Sequence, residues 1–439
     1  MKQVWDICGN TGNFPGPAER GLLFSGTDPL LLEVALRPSQ LFRSLRSRNY
    51  RLYFTGQSIS LIGTWMQRMA VSWLVYRVTH SSLMLGIVSF AGLIPSMLFS
   101  PYAGTLSDRH SRYRILLYSQ VASMLQSGVL AAIVLLQYYN ITAIILLSIA
   151  QGIINAFDTT SRQSLMIDLI DNKEDLSNAI ALNSSMVNLA RLLGPAIAGV
   201  ILSAFGEGVC FLIDFLSFIA VIISLLMMKL QLPPPQQVEG NIWQGLREGY
   251  RYLQQSPDIR AVILMLAASG IFLMSFNTLT PVFAKDVFGG NAKTYSWFAS
   301  ITGLGAMISA IYMAALKPGK DLVKIIGAAA ILFAVSVLLF SRAGSLPLAL
   351  FLIMLSGMGM MAQIAATNTY VQTNVPGHMR GRMISYYAMS FQGTLPVGSL
   401  LAGGVAHRIG APLTACLQGA AGIVCAVIFL WSLRARNNR

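Results

Sequence analysis

The sequence predicts an all-α membrane protein whose twelve transmembrane helices form two six-helix bundles. Three observations predict this. The 439 residues are 54% hydrophobic and only 11% charged, with a mean hydropathy of +0.61, whereas a soluble chain carries about 25% charged residues. Apolar runs of about twenty residues, each long enough to cross a hydrocarbon core, recur along the whole chain. Small basic groups separate those runs, and alternate connections hold most of them.

The elements follow in order. Residues 1–48 are predicted to be an N-terminal cytoplasmic extension. Their Gly- and Pro-rich start carries Asp6, Glu19, Asp28 and Glu33, and it lacks the basic opening and continuous apolar core of a signal peptide. Six spans are expected within residues 49–231, at 52–76, 82–105, 114–137, 142–160, 179–204 and 208–230. The run Gln231-Leu-Pro-Pro-Pro-Gln-Gln-Val-Glu-Gly240 then stops the pattern. A cytoplasmic linker over 232–257 follows, with Trp243, Leu246, Tyr250 and Leu253 on one helical face and Arg247, Glu248 and Arg251 elsewhere. Six further spans fall within 258–433, at 259–283, 294–315, 323–341, 346–371, 381–406 and 411–433, before a short cytoplasmic tail at 434–439.

Twelve spans put both termini on one side. Counted that way, Lys and Arg on the terminal side outnumber those on the other by roughly four to one, which marks that side as cytoplasmic. The net charge of +14 therefore reads as membrane topology. The basic residues form no continuous stripe, so nucleic acid is not an expected partner. Cys8, Cys210, Cys416 and Cys425 are far apart, and His80, His110, His378 and His407 sit singly at span ends. No metal site, no cofactor and no enzymatic centre is predicted from them.

Chemistry concentrates in a few places. Gly104-Thr-Leu-Ser-Asp108-Arg109-His-Ser-Arg112-Tyr-Arg114 packs one acid and three arginines into the gap between spans two and three. A glycine allows close helix approach, an acid can cap a neighbouring helix N-terminus, and the basic cluster holds the turn at the cytoplasmic face. Within the spans lie Arg68, Arg191 and Asp214. A charge at membrane depth costs roughly 3 kcal/mol or more, so it faces a cavity or a partner. Two readings stand. Arg68 and Arg191 line a central cavity that attracts an anionic substrate, with Asp214 titrating protons or compensating charge. Alternatively, Arg68 and Asp214 pair with each other, and Arg191 bonds backbone near Pro195. Gln67, Gln151, Asn155, Asn188, Asn277, Gln363, Asn368 and Gln392 are further expected liners of the substrate or proton pathway, because an amide in lipid needs a partner. Trp65, Trp73 and Tyr295 read as packing or lipid-facing aromatics.

On these residues the chain resembles the major facilitator superfamily from about residue 42 to 433. Gly104–Arg114 is similar to the signature between that superfamily's second and third helices, and Arg191-Leu-Leu-Gly194-Pro195-Ala-Ile-Ala-Gly199 to its Gly-Pro antiporter motif, where the helix breaks. Ile62–Tyr76, Asp158–Gln163 and Arg380-Gly-Arg382 resemble the branch that contains the enterobactin exporter and the drug-efflux proteins. The second copy of the signature, Ala314–Asp321, is degenerate. The resemblance implies a monomeric secondary transporter of a bacterial inner membrane. Its expected activity is proton-coupled efflux of a small amphiphilic or anionic organic compound, a siderophore or an antibiotic, by alternating access. An importer of a siderophore or lipid-like solute, or a transport-inactive receptor, remains as an alternative. It also implies a conformational latch of Gly104, Asp108, Arg109, Arg112, Asp158, Arg162 and Arg380. In that latch Asp108 caps span eleven near Arg380–Arg382, and Arg112 pairs with Asp158.

Overall fold

The computed structural model describes residues 42–230, 242–316 and 321–437. The N-terminal extension, the proline run and Lys317–Lys320 of the degenerate signature lie essentially outside the described residues. The described residues form helices and contain no strand.

Short polar residues start five of the helices by accepting orphan N-terminal N–H groups. Helix α1 covers Arg48–Thr79 and ends at His80 in the left-handed region, with φ 48°. Ser81 caps α2 (Ser82–Arg109), Ser111 caps α3 (Arg112–Leu135) and Asn140 caps α4 (Ile141–Leu165). Helices α5 (Leu176–Phe205) and α6 (Glu207–Leu226) meet at Gly206, whose φ of 80° suits a residue without Cβ. The linker helix α7 is Ile242–Gln255, and Pro257 opens α8 (Pro257–Phe272) at its first position. Asn291 caps α9 (Ala292–Ala314) and Asp321 caps α10 (Leu322–Phe340). Then come α11 (Leu346–Asn374), α12 (Gly377–Ala388), α13 (Thr394–Ile409) and α14 (Ala411–Asn437).

Among the described residues ten helical stretches are long and apolar enough to cross a membrane, against the twelve expected. The two outside that set are the expected first and eleventh spans. Helix α1 carries Arg48, Arg51, Gln57, Gln67, Arg68 and Arg77. The eleventh is divided by a π turn at Met389–Gly393 between the basic α12 and α13. Pro396 explains that break, since it cannot donate to the Gln392 carbonyl four residues back. The seventh expected span also changes form. After α8 it continues as a 3-10 turn at Met274–Leu279, and it ends in a π turn at Phe283–Val287. By contrast α2 and α5 stay helical through Pro95, Pro101 and Pro195.

Packing sorts these helices. Helix α1 lies on α5 and α6, α2 on α4, and α3 on α4 and α6; after the linker, α11 lies on α9 and α10, and α14 on α8 and α10. The earlier and later groups meet along two seams, α2 on α13 and α5 on α9. Glycine makes the first seam possible: a Cβ on Gly86 would sit 2.8 Å from the Ser399 carbonyl oxygen.

Buried apolar clusters follow the same division. The largest, with Trp73, Leu85 and Leu202 from the first group and Leu273, Phe283, Tyr295 and Phe340 from the second, fills the half remote from the start of α1. At the other end, which holds the basic connections, each cluster belongs to one group. Tyr50, Leu116, Leu169 and Leu225 form one, and Leu253, Ile259, Val371 and Met379 form another. Tyr252 and Leu253 seat α7 on that second cluster, whereas Tyr250, expected on the same face, is exposed.

Candidate functional site

Between the two groups lies a cavity of about 680 Å³, within the usual range for small-molecule sites. Of the expected pathway residues, Arg68, Arg191, Gln151, Asn155, Asn277 and Gln392 line it. Asn277 reaches it from the 3-10 turn that follows α8, and Gln392 from the π turn before α13. Two of the irregular turns of the second group therefore reach the chamber, and lining a cavity is one setting in which such backbone is tolerated at membrane depth.

Gln67, Asp214, Asn188, Gln363 and Asn368 stay out of the cavity wall. Gln67 is buried and donates to Gln126 Oε1 at 2.9 Å. Asp214 is fully enclosed and accepts from Ser127 at 3.0 Å, with Ser217 and Gly63 against its other oxygen. Asn188 bonds back to the Ser184 carbonyl, Gln363 donates to Ser269, and Asn368 accepts from Gln372. Arg68 and Asp214 form no ion pair, and no hydrogen bond joins Arg191 to backbone among the described residues. Instead the guanidinium carbons of Arg68 and Arg191 each lie 5.2 Å from the centre of the Trp65 ring, in cation–π range. Buried Arg191 Nε and Gln151 Oε1 have no partner.

Gly194 and Pro195 hold α5 close to its neighbours. The Gly194 backbone lies against Trp65 and the Ile62 carbonyl of α1, while the Pro195 carbonyl accepts from Ser296 of α9 at 2.6 Å. Gly199 faces the same serine. The expected helix break is absent, and α5 runs straight through.

At the basic end, Gly104 faces Thr160 of α4, and one turn on Ser107 and Ser161 hydrogen-bond at 2.8 Å. Asp108 lies in the last turn of α2, but its side chain lies outside the described residues. Arg109 and Arg380 are exposed. The expected Arg112–Asp158 pairing is corrected. Asp158 is taken by Arg162, one helical turn away at 2.8 Å, and by Gln120, whereas Arg112 reaches Asp168 at 3.7 Å and the Ser164 carbonyl. Arg382 pairs with Glu248 of the linker helix at 2.6 Å.

At the opposite end, side chains tie the groups together. Tyr76 donates to Asp286 Oδ2, Lys285 Nζ lies 3.4 Å from His80 Nε2, and the rings of Trp73 and Tyr295 stack with centres 6.0 Å apart. Ser82 donates to the Gly403 carbonyl at 3.2 Å. Sequence reasoning missed this junction, because its partners lie more than 200 residues apart. It also assigned Trp65 and Tyr295 to packing, although both line the cavity. The signal for Trp65 was local: it stands three residues before Arg68 on the same helix face.

A multi-pass helical membrane protein with a polar chamber between two helix groups is the architecture of a solute transporter. The chain belongs to the family described as transmembrane secretion effector, whose profile matches residues 39–438, and with it to the major facilitator superfamily. Its relatives are transporters, not enzymes. It is 27% identical over 390 residues to the staphyloferrin A transporter of Staphylococcus aureus, covering 86% of this chain and 95% of that one. It is 23% identical over 393 residues to macrolide efflux protein A of Streptococcus pyogenes, covering 87% and 96%. It is 24% identical over 396 residues to the enterobactin exporter of Salmonella typhi, covering 87% and 91%. Among solved structures, the nucleoside transporter NupG superposes with a TM-score of 0.71 at 11% identity, covering 87% of this chain and 98% of the other, a likeness of fold alone.

Proposed function

We propose that this protein is a secondary active exporter of a small amphiphilic or anionic organic compound, a siderophore or an antibiotic, across a bacterial cytoplasmic membrane. One observation carries the reading: the cavity lies between helix groups that, among the described residues, share their largest apolar cluster and the Tyr76–Asp286 tie at the end remote from the basic connections. Residues 49–231 and 258–433 act as two six-helix bundles, twelve membrane-spanning segments in all, that rock about the chamber as a monomer. The basic end is cytoplasmic by the positive-inside rule, as are both termini. The conformation described above is then open to the cytoplasm and sealed on the far side, ready to load a solute for export.

In the opposite conformation the basic ends close. The α2–α3 turn with Gly104, Asp108, Arg109 and Arg112, the Asp158–Arg162 pair and Arg380 form the latch on that side. Protons drive the cycle, and Asp214, enclosed beside α1, is the carboxylate that carries them. The names of the relatives support export of siderophores and macrolides as the activity to test first.

The test compares deletion-strain cells with and without the chain for retention of erythromycin and of carboxyfluorescein loaded as its diacetate. The chain is expected to lower retention of at least one probe threefold or more, and a protonophore to abolish the difference. Equal retention of both probes overturns export, and a difference that survives the protonophore overturns proton coupling.

A further inference from the structure

The cavity wall is electrically one-sided. Each charged side chain that lines it, Arg68, Arg191, Arg162 and Asp158, comes from the first helix group. Asp158 and Arg162 neutralise each other at 2.8 Å. Arg68 and Arg191 have no carboxylate within ion-pair distance among the described residues. Sharing Trp65 at 5.2 Å each, they are no farther apart than twice that distance. The facing wall of the second group has no charge, and it presents Met274, Phe298, Met360, Ile364, Phe391 and Leu395.

The two guanidiniums are like charges that repel each other across the cavity wall, and neither has a carboxylate in direct contact among the described residues. Contact with one indole offsets only part of that cost, on the order of 1 kcal/mol per contact. An anion between them would supply the missing countercharge and a partner for the orphaned Arg191 Nε. A guanidinium offers paired N–H donors that match a carboxylate's two oxygens. Two guanidiniums therefore accept two carboxylates.

We propose that Trp65, Arg68 and Arg191 form a carboxylate clamp. Its ligand is an amphiphilic organic solute that places two carboxylates on the two arginines and lays an apolar end against the Met- and Phe-lined wall. The clamp deepens the export reading and rests on it for its physiological use, but binding itself requires no transport.

Dye anisotropy on the full chain in lipid nanodiscs tests the clamp with three xanthenes: carboxyfluorescein with two carboxylates, fluorescein with one, and cationic rhodamine 6G. Carboxyfluorescein is expected to bind at least tenfold more tightly than rhodamine 6G and several-fold more tightly than fluorescein. Arg68→Gln and Arg191→Gln should each weaken it tenfold or more, and Arg68→Lys should recover part of the loss. Rhodamine 6G binding as well as carboxyfluorescein overturns the proposal, as does a carboxyfluorescein affinity unchanged in both Gln variants; fluorescein matching carboxyfluorescein overturns the two-carboxylate requirement. The comparison among dyes uses the unaltered chain, so a misfolded variant does not blunt it. Carboxyfluorescein binding without flux in proteoliposomes removes the export reading and leaves the clamp. Rhodamine 6G efflux without carboxyfluorescein binding does the reverse.

Discussion

The two ends of the molecule are built on different principles. At the end remote from the basic connections, one apolar cluster draws side chains from both helix groups, and glycines let α2 and α13 touch backbone to backbone. At the basic end each group has its own cluster among the described residues, and Asp158–Arg162 lies within the first group while Arg382–Glu248 ties the second to the linker helix. The far end can therefore separate only by breaking contacts between groups. The basic end can close or open while each group keeps its core. A transporter needs that asymmetry, since alternating access exchanges packings between the groups and leaves each group intact.

Asp158→Ala gives the largest expected effect. It leaves Arg162, a half-buried cation on the cavity wall, without its ion-pair partner, which costs about 3 kcal/mol, the lower end of the range for a buried pair. If the basic end is a self-contained core, that loss falls on the first group alone. The melting temperature in detergent should drop by several degrees, while labelling of a cysteine at Ser72 from the far side stays as slow as in the parent. Faster labelling would mean that the ends are coupled through the first group.

Asp286→Asn attacks the far end instead. It weakens the hydrogen bond from Tyr76, one of the few polar ties between groups. A hydrogen bond to a charged group contributes about 1.5–3 kcal/mol, so the balance should move toward the far-side-open packing by roughly tenfold, since 1.4 kcal/mol is a tenfold change. Labelling of the Ser72 cysteine from that side should quicken by about that factor, with little change in melting temperature. Unchanged labelling would remove this tie from the seal.

Much of the fold was legible because a membrane span needs about twenty apolar residues and the sequence supplies them repeatedly. The spans that look least apolar, α1 and α12–α13, carry polar residues for the chamber or the basic end. The site was legible only in part, and the reason is physical. A polar side chain in an apolar run announces that it needs a partner, not which partner. Gln151 and Gln392 found the cavity, whereas Gln67 found Gln126 and Gln363 found Ser269. Asp158 could have been paired from sequence, since Arg162 stands four residues on in the same helix. The Tyr76–Asp286 contact had no local signature, because it exists only once two distant helices are folded together.

The smallest expected effect belongs to Asp321, which caps α10 at the basic end. Its Oδ1 accepts from the N–H groups of Val323 and Lys324 at 3.1 and 3.2 Å, and its carboxylate pairs with Lys324 at 3.1 Å. Slight burial would raise its pKa, but the Lys324 backbone N–H and ammonium, with the Val323 N–H, outweigh it and hold the carboxyl below its ordinary value of 3.8. A depressed folded pKa fixes the sign: the cap stabilises above the ordinary value and fades as pH falls through the lower one. Asp321→Ala should cost about 1 kcal/mol at neutral pH and progressively less below about pH 4, where the parent carboxyl also protonates. Parallel melting curves from pH 7 to pH 3 check this. Because the cap lies within the second group's own helix, neither substitution nor acid should alter Ser72 labelling through this residue. A response there would place α10 in the seam between the groups rather than in a core of its own.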